Sequence, residues 1–186
     1  MTTSPSLDFI AWKPEYDCPV RLINCQHQEV LLFLNRWYMD LKLGHFDSKD
    51  LLGFLKHRFT FLCHYSEFHL AFEEDMLTLL TRRYGFPEME YQAHVRAHHE
   101  FNVNFLSSLR GQIDLFATSG ASMLSDSILI DVLKDVASWW YTHIRAPRDG
   151  KPGGPDHVYR NFMSSLPPTA IQELLNDLLV AAELDI

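Results

Sequence analysis

The segments His69-Leu70-Ala71-Phe72-Glu73 and His94-Val95-Arg96-Ala97-His98 each set two metal-ligating residue types four positions apart. On an α-helix four residues turn through about 400°, so both members of a pair project from one face, one turn apart. Two such pairs on neighbouring helices can converge on a point between them, which is how a helix bundle builds a metal site in its interior. Further candidate ligands lie far away along the chain: His27 before this stretch, and His143 and Asp149 after it. Imidazole nitrogen together with carboxylate oxygen suits iron, zinc, manganese or copper. Five imidazoles and two carboxylates exceed one tetrahedral zinc site. They suffice for two ions bridged by the carboxylates, because each carboxylate has two oxygens. A three-plus-two division of the imidazoles leaves one ion a ligand short, and an external molecule could bind there.

Helices must position these groups. Cys18 to Leu43 reads as the first, with Val20, Ile23, His27, Val30, Leu31, Leu34 and Trp37 on one face, and Gly44 ends it. Asp47-Ser48 offers a cap for a second helix running to about Arg83. Its stripe is Leu51, Leu55, Phe59, Leu62, Ser66, His69, Glu73, Met76 and Leu80, over a length of about 50 Å. Tyr84-Gly85-Phe86-Pro87 is a turn. A third helix from about Glu88 to Thr118 turns Tyr91, His94, His98, Phe101, Phe105 and Leu109 inward. A fourth, from about Ser125 to Ile144, does the same with Ile128, Val132, Val136, Trp139, Trp140 and His143. Pro147, Gly150, Pro152, Gly153, Gly154 and Pro155 then break the chain, and one short amphipathic helix follows at about Thr169 to Leu184. The pattern predicts an all-α fold: an antiparallel up-down-up-down four-helix bundle over residues 1–150, with an N-terminal arm, and a C-terminal extension over 151–186 carrying a short helix.

The composition supports one globular domain of 186 residues, with 47% apolar and 22% charged residues. A formal charge of −8 argues against nucleic acid or an anionic membrane surface as partner. Met1 to Leu7 lacks a signal-peptide pattern, and no uninterrupted apolar run is long enough to span a bilayer. Cys18, Cys25 and Cys63 read as free thiols of a reducing, cytoplasmic compartment.

The chain resembles the bacterial hemerythrins (bacteriohemerythrins), the non-haem di-iron oxygen-binding family. Phe9-Ile10, Trp12, Tyr16, Val20 and Ile23-Asn24-Cys25-Gln26-His27 are similar to the family's opening signature, with Asn24 where an aspartate is usual. Tyr65 with His69 to Glu74 resembles HFxxEE. Phe86-Pro87, His94 to His98 and Phe101 resemble YP with HxxxH and its following Phe, and Trp139 to Ile144 resembles WLxxHI. The resemblance covers most of residues 9–149. It implies that His94, His98 and His143 hold one iron and His27 and His69 the other. Glu73 and Asp149, with an oxo or hydroxo bridge, would then span the Fe2+/Fe3+ pair. It implies reversible dioxygen binding for carriage, storage or delivery to an oxygen-consuming enzyme. Alternatives are an oxygen, nitric oxide or redox sensor with a signalling partner, or a di-iron peroxidase or oxidase. No residue reads as a dedicated general acid or nucleophile, so an enzyme is not the expectation.

The chain departs from the family pattern in three ways. The family places its aspartate five residues after the last histidine, where this chain has Arg148, and Asp149 comes at six. A π-bulge near Pro147 is the device that would absorb the extra residue. Trp140 stands where leucine is usual over the oxygen-binding iron, and its larger ring would narrow that pocket or shift it. The spacings from His27 to His69 and from His69 to His94 are longer than typical. Among the remaining candidates, His98 is favoured over His99 by its spacing from His94. Glu74 and Asp75 read as a solvated face, Cys25 points off the ligand face, and His45, His57, His64 and His157 belong to no set.

Overall fold

The computed structural model describes residues 10–44, 48–119, 126–147 and 152–184. The described residues are helical or loop, with no strand among them. Among the described residues seven α-helices follow a 3-10 turn at Pro14–Tyr16: α1 (Arg21–Leu43), α2 (Ser48–Leu79), α3 (Glu88–Glu100), α4 (Ser107–Ser119), α5 (Asp126–Ile144), α6 (Pro155–Ser164) and α7 (Pro168–Leu184). A π-turn at Leu80–Tyr84 closes α2, and a π-segment at Phe101–Leu106 joins α3 to α4, so 88–119 is one continuous helical run. Gly44 and Gly85 adopt φ of 62° and 77°, the left-handed conformation that lets a chain leave a helix without a Cβ clash. Among the described residues no helix is long and apolar enough to cross a membrane.

The chain divides into two compact units. One comprises Met1–Trp12, Gln28–Ser66 and His99–Tyr141. Its buried side chains include Leu34, Trp37, Leu55, Leu62, Phe101, Leu133 and Trp140. In it Phe101 stacks on Trp139 at 4.1 Å between ring centroids, with Trp140 edge-on to Phe101 at 5.7 Å. On α5 the interior stripe is Leu129, Leu133, Val136, Ala137 and Trp140. The anticipated Ile128 is instead 41% exposed. The reason is periodicity: alternating steps of three and four back from the inward-facing His143 reach 140, 136, 133 and 129, and 128 lies one residue, about 100° of rotation, past the end of that stripe.

The other unit comprises Lys13–His27, Glu67–His98 and Thr142–Ile186. Its core is Cys18, Val20, Ile23, Met76, Leu77, Leu80, Phe86, Tyr159, Met163, Ile171, Leu174 and Leu178. Five of those twelve side chains come from α6 and α7, so the segment after Pro152 is part of this core. Arg83 pairs with Asp177 of α7, and the Tyr84 hydroxyl donates to the Ala170 carbonyl at 3.2 Å.

Helix α6 is an addition to the predicted elements, which place a single helix after Pro155. Proline at the first helical position breaks nothing, since its missing N–H needs no intrahelical partner there. The buried stripe of α6 is Asp156, Tyr159, Arg160 and Met163. That is a helical period written mostly in polar residues, so a search for apolar periodicity passes over it. Arg160 ties the helix down. Its guanidinium donates to the Ile144 carbonyl at the end of α5 (2.7 Å) and to the Glu15 carbonyl (3.4 Å).

Candidate metal centre

Every side chain of the cluster lies in the second unit. Helix α1 contributes His27, α2 contributes His69 and Glu73, α3 contributes His94 and His98, and the end of α5 contributes His143. All six are buried. They form two groups with ligand atoms within 4.8 Å of one another: Glu73 with His94, His98 and His143, and Glu73 with His27 and His69. The i,i+4 pairs on α2 and α3 thus converge as their spacing predicts.

Glu73 stands between the groups. Its Oε2 lies 3.3, 3.4 and 3.5 Å from the Nε2 atoms of His94, His98 and His143. Its Oε1 lies 3.4 Å from His27 Nε2 and 3.6 Å from His69 Nε2. Asp149 lies outside the described residues. A carboxylate that sequence reasoning did not single out, Asp156 in the first turn of α6, reaches both groups. Its Oδ1 is 2.9 Å from His143 Nε2 and 3.7 Å from His94 Nε2, and its Oδ2 is 3.2 Å from His27 Nε2. Asp156 comes thirteen residues after His143, beyond the reach of any single-helix spacing rule. Gly154 makes the approach possible. Its N–H donates to the Arg145 carbonyl at 2.8 Å, and a Cβ there would sit 2.0 Å from the His143 carbonyl oxygen.

Hydrogen bonds outside the cluster set the ring orientations. His69 Nδ1 meets the buried Gln26 Oε1 at 2.9 Å, and His98 Nδ1 meets Glu74 Oε1 at 2.8 Å. Both partners are acceptors, so the proton belongs on Nδ1 and the Nε2 lone pair faces inward, the tautomer a metal requires. Glu74 is therefore more than a solvated face. His99 and Asp75 are exposed, as expected. Cys25 is exposed, whereas Cys18 is buried and its thiol is pushed up to about 12 by burial, then by Glu73 and Asp156, so it stays protonated. Gln26→Leu should lower metal affinity by roughly 10- to 100-fold, the usual effect of losing such a partner, which a competition titration against a chelator would read.

The electrostatics carry the mark of a cation site. Burial lowers the His69 imidazole to about 3, against the pull of Glu73. Burial also opposes charge on His143, yet Asp156 and then Glu73 lift it to about 9. The carboxyls of Glu73 and Asp156 both stay below their ordinary range. For Glu73, burial is outweighed by His69 and by hydrogen bonds to three imidazoles. For Asp156, burial and the Glu73 charge are outweighed by His143 and His27.

The donor set fits metal. Both oxygens of the fully buried Asp156 have no hydrogen-bond partner despite their nearness to imidazole nitrogens. Imidazole Nε2 atoms face each other at 3.1 Å (His27 and His69) and 3.3 Å (His98 and His143). Burying two carboxylates among five imidazoles whose ring nitrogens converge on one another is costly. Cations between them satisfy all at once.

Together the helices and the buried His/Glu cluster define a helical metal-binding protein. The chain belongs to the hemerythrin family: residues 18–148 match the hemerythrin HHE cation binding domain. No curated protein and no solved structure matches the chain. The matched stretch ends before Asp156, so the carboxylate from α6 lies beyond the family's domain.

Proposed function

We propose that this protein holds two iron ions and binds dioxygen reversibly at one of them, for carriage, storage or delivery. The observation that supports this most is the unequal division of donors. One group has three imidazoles with Glu73 Oε2 and Asp156 Oδ1, and the other has two imidazoles with Glu73 Oε1 and Asp156 Oδ2. Five donors against four leave the second ion with an open position. Bound ferrous iron supplies the electrons and the coordination position that dioxygen needs.

The chain's own residues do the rest. Gln26 and Glu74 hold two imidazoles in register, and the apolar core around Ile23, Leu77 and Met163 keeps bulk water away. A histidine-rich donor set favours binding over oxygen activation, and we read the protein as a binder and not an enzyme.

Reduced, iron-loaded protein should develop visible ligand-to-iron absorption in oxygen and lose it under vacuum, with two irons per chain by metal analysis. A colour change that does not reverse, or steady turnover of peroxide, would overturn the reading. A sensing role is the second reading. Its motive is that Asp156 belongs to a segment outside the family domain, so changes at the iron pair would reach α6 and α7.

A further inference from the structure

Helix α6 brings a second oxygen atom to the cluster. Tyr159 lies three residues after Asp156, on the same face of the helix, and is completely buried. Its hydroxyl donates to Glu73 Oε1 at 2.7 Å, and its ring leans on that of His94 at 5.5 Å between centroids. The acceptor oxygen is the one directed at His27 and His69, at 3.4 and 3.6 Å. Tyr159 therefore addresses the two-imidazole group, the one short of a donor.

Packing alone does not account for this hydroxyl. The ring sits in the apolar core with Cys18, Val20, Ile23, Met76 and Met163, where phenylalanine would fill the same space with no polar atom to satisfy. Its hydrogen bond goes to a shared carboxylate, although such a bond draws electron density away from an oxygen that an ion would use.

We infer that Tyr159 is a positioning residue that holds the pair in its reduced, ligand-binding state. The inference rests on the iron-centre reading above. A hydrogen bond to a carboxylate ligand weakens its donation to the ion. The ferric state depends on that donation more than the ferrous state does, so the bond favours ferrous iron. It also fixes Glu73 Oε1 in place while the open position fills and empties.

Tyr159→Phe tests this with iron content and a spectroelectrochemical titration of wild type and variant. The expected result is two irons per chain in both and a lower potential in the variant. Losing one hydrogen bond to a charged group should shift the reduced-to-oxidised ratio at fixed potential by about tenfold, or about 59 mV for one electron. The ferrous variant should oxidise in air faster by a similar factor. An unchanged potential with full iron content overturns the inference. So does a phenolate-to-iron absorption band in oxidised wild type that vanishes in the variant, since Tyr159 would then be a ligand. Wild type that holds no iron would remove the iron-centre reading itself, a failure distinguishable from the other two. If the variant does not fold, 3-fluorotyrosine placed at position 159 makes the phenol a stronger donor and should raise the potential, and no shift would again overturn the inference.

Discussion

Asp156→Ala is expected to strip the protein of tightly held metal, and Asp149→Ala is the comparison that tells the two carboxylates apart. Asp156 is fully buried, and its two oxygens reach imidazoles of both groups, at 2.9 Å from His143 and 3.2 Å from His27. Removing it takes a donor from each ion at once. Partners that only orient a ligand are worth 10- to 100-fold in affinity, so a direct bridging donor should cost at least about 100-fold. Metal analysis of both variants, followed by titration against a chelator, reads the difference. Iron lost on Asp149→Ala and retained on Asp156→Ala would assign the second bridge to Asp149 and reduce Asp156 to a buried charge paired with His143.

Gly154→Ala should cost nearly as much metal without touching any ligand. The new methyl would lie 2.0 Å from the His143 carbonyl oxygen and 2.1 Å from that of Thr142, both in the last turn of α5. Backbone at a helix end cannot swing aside as a side-chain tip can, so α6 must move away. Overpacking of this kind costs about 3 kcal/mol, which in a chain of this size lowers the melting temperature by roughly 10 °C. The displacement also carries Asp156 and Tyr159 off the cluster. Gly153→Ala is the comparison, because its methyl would press on α6 through His157, at 2.6 Å from Cγ and 2.7 Å from Cβ, and not on the end of α5. A Gly154→Ala protein with wild-type melting temperature and full iron content would show that α6 does not need its close seat on α5.

How much of this was readable beforehand varies by residue. The pairs His69 with Glu73 and His94 with His98 are local patterns, four positions apart on one helix, and the structure brings them together. His27 and His143 were legible as the inward members of apolar stripes on two other helices. The choice of His98 over its neighbour His99 followed from the same period, and the burial of one and exposure of the other agree with it. Gln26 and Glu74 were visible only as neighbours of ligands, because their role depends on an imidazole from another helix. Trp140 was expected over the ligand. It packs with Phe101, Trp139 and Tyr65.

The sequence by itself determined the four long helical runs, most of their inward faces and six of the side chains that meet around the candidate ions, because helical periodicity is a short-range property that each segment carries alone. Only the tertiary structure decided that the stretch after Pro152 folds back as α6 and delivers Asp156 and Tyr159. That return depends on contacts between segments remote in the chain: Gly154 lying against the end of α5, Arg160 holding the Ile144 carbonyl, and apolar side chains of α6 and α7 completing one core. No local spacing encodes such contacts, which is why a carboxylate thirteen residues from the last histidine could be recognised only in three dimensions.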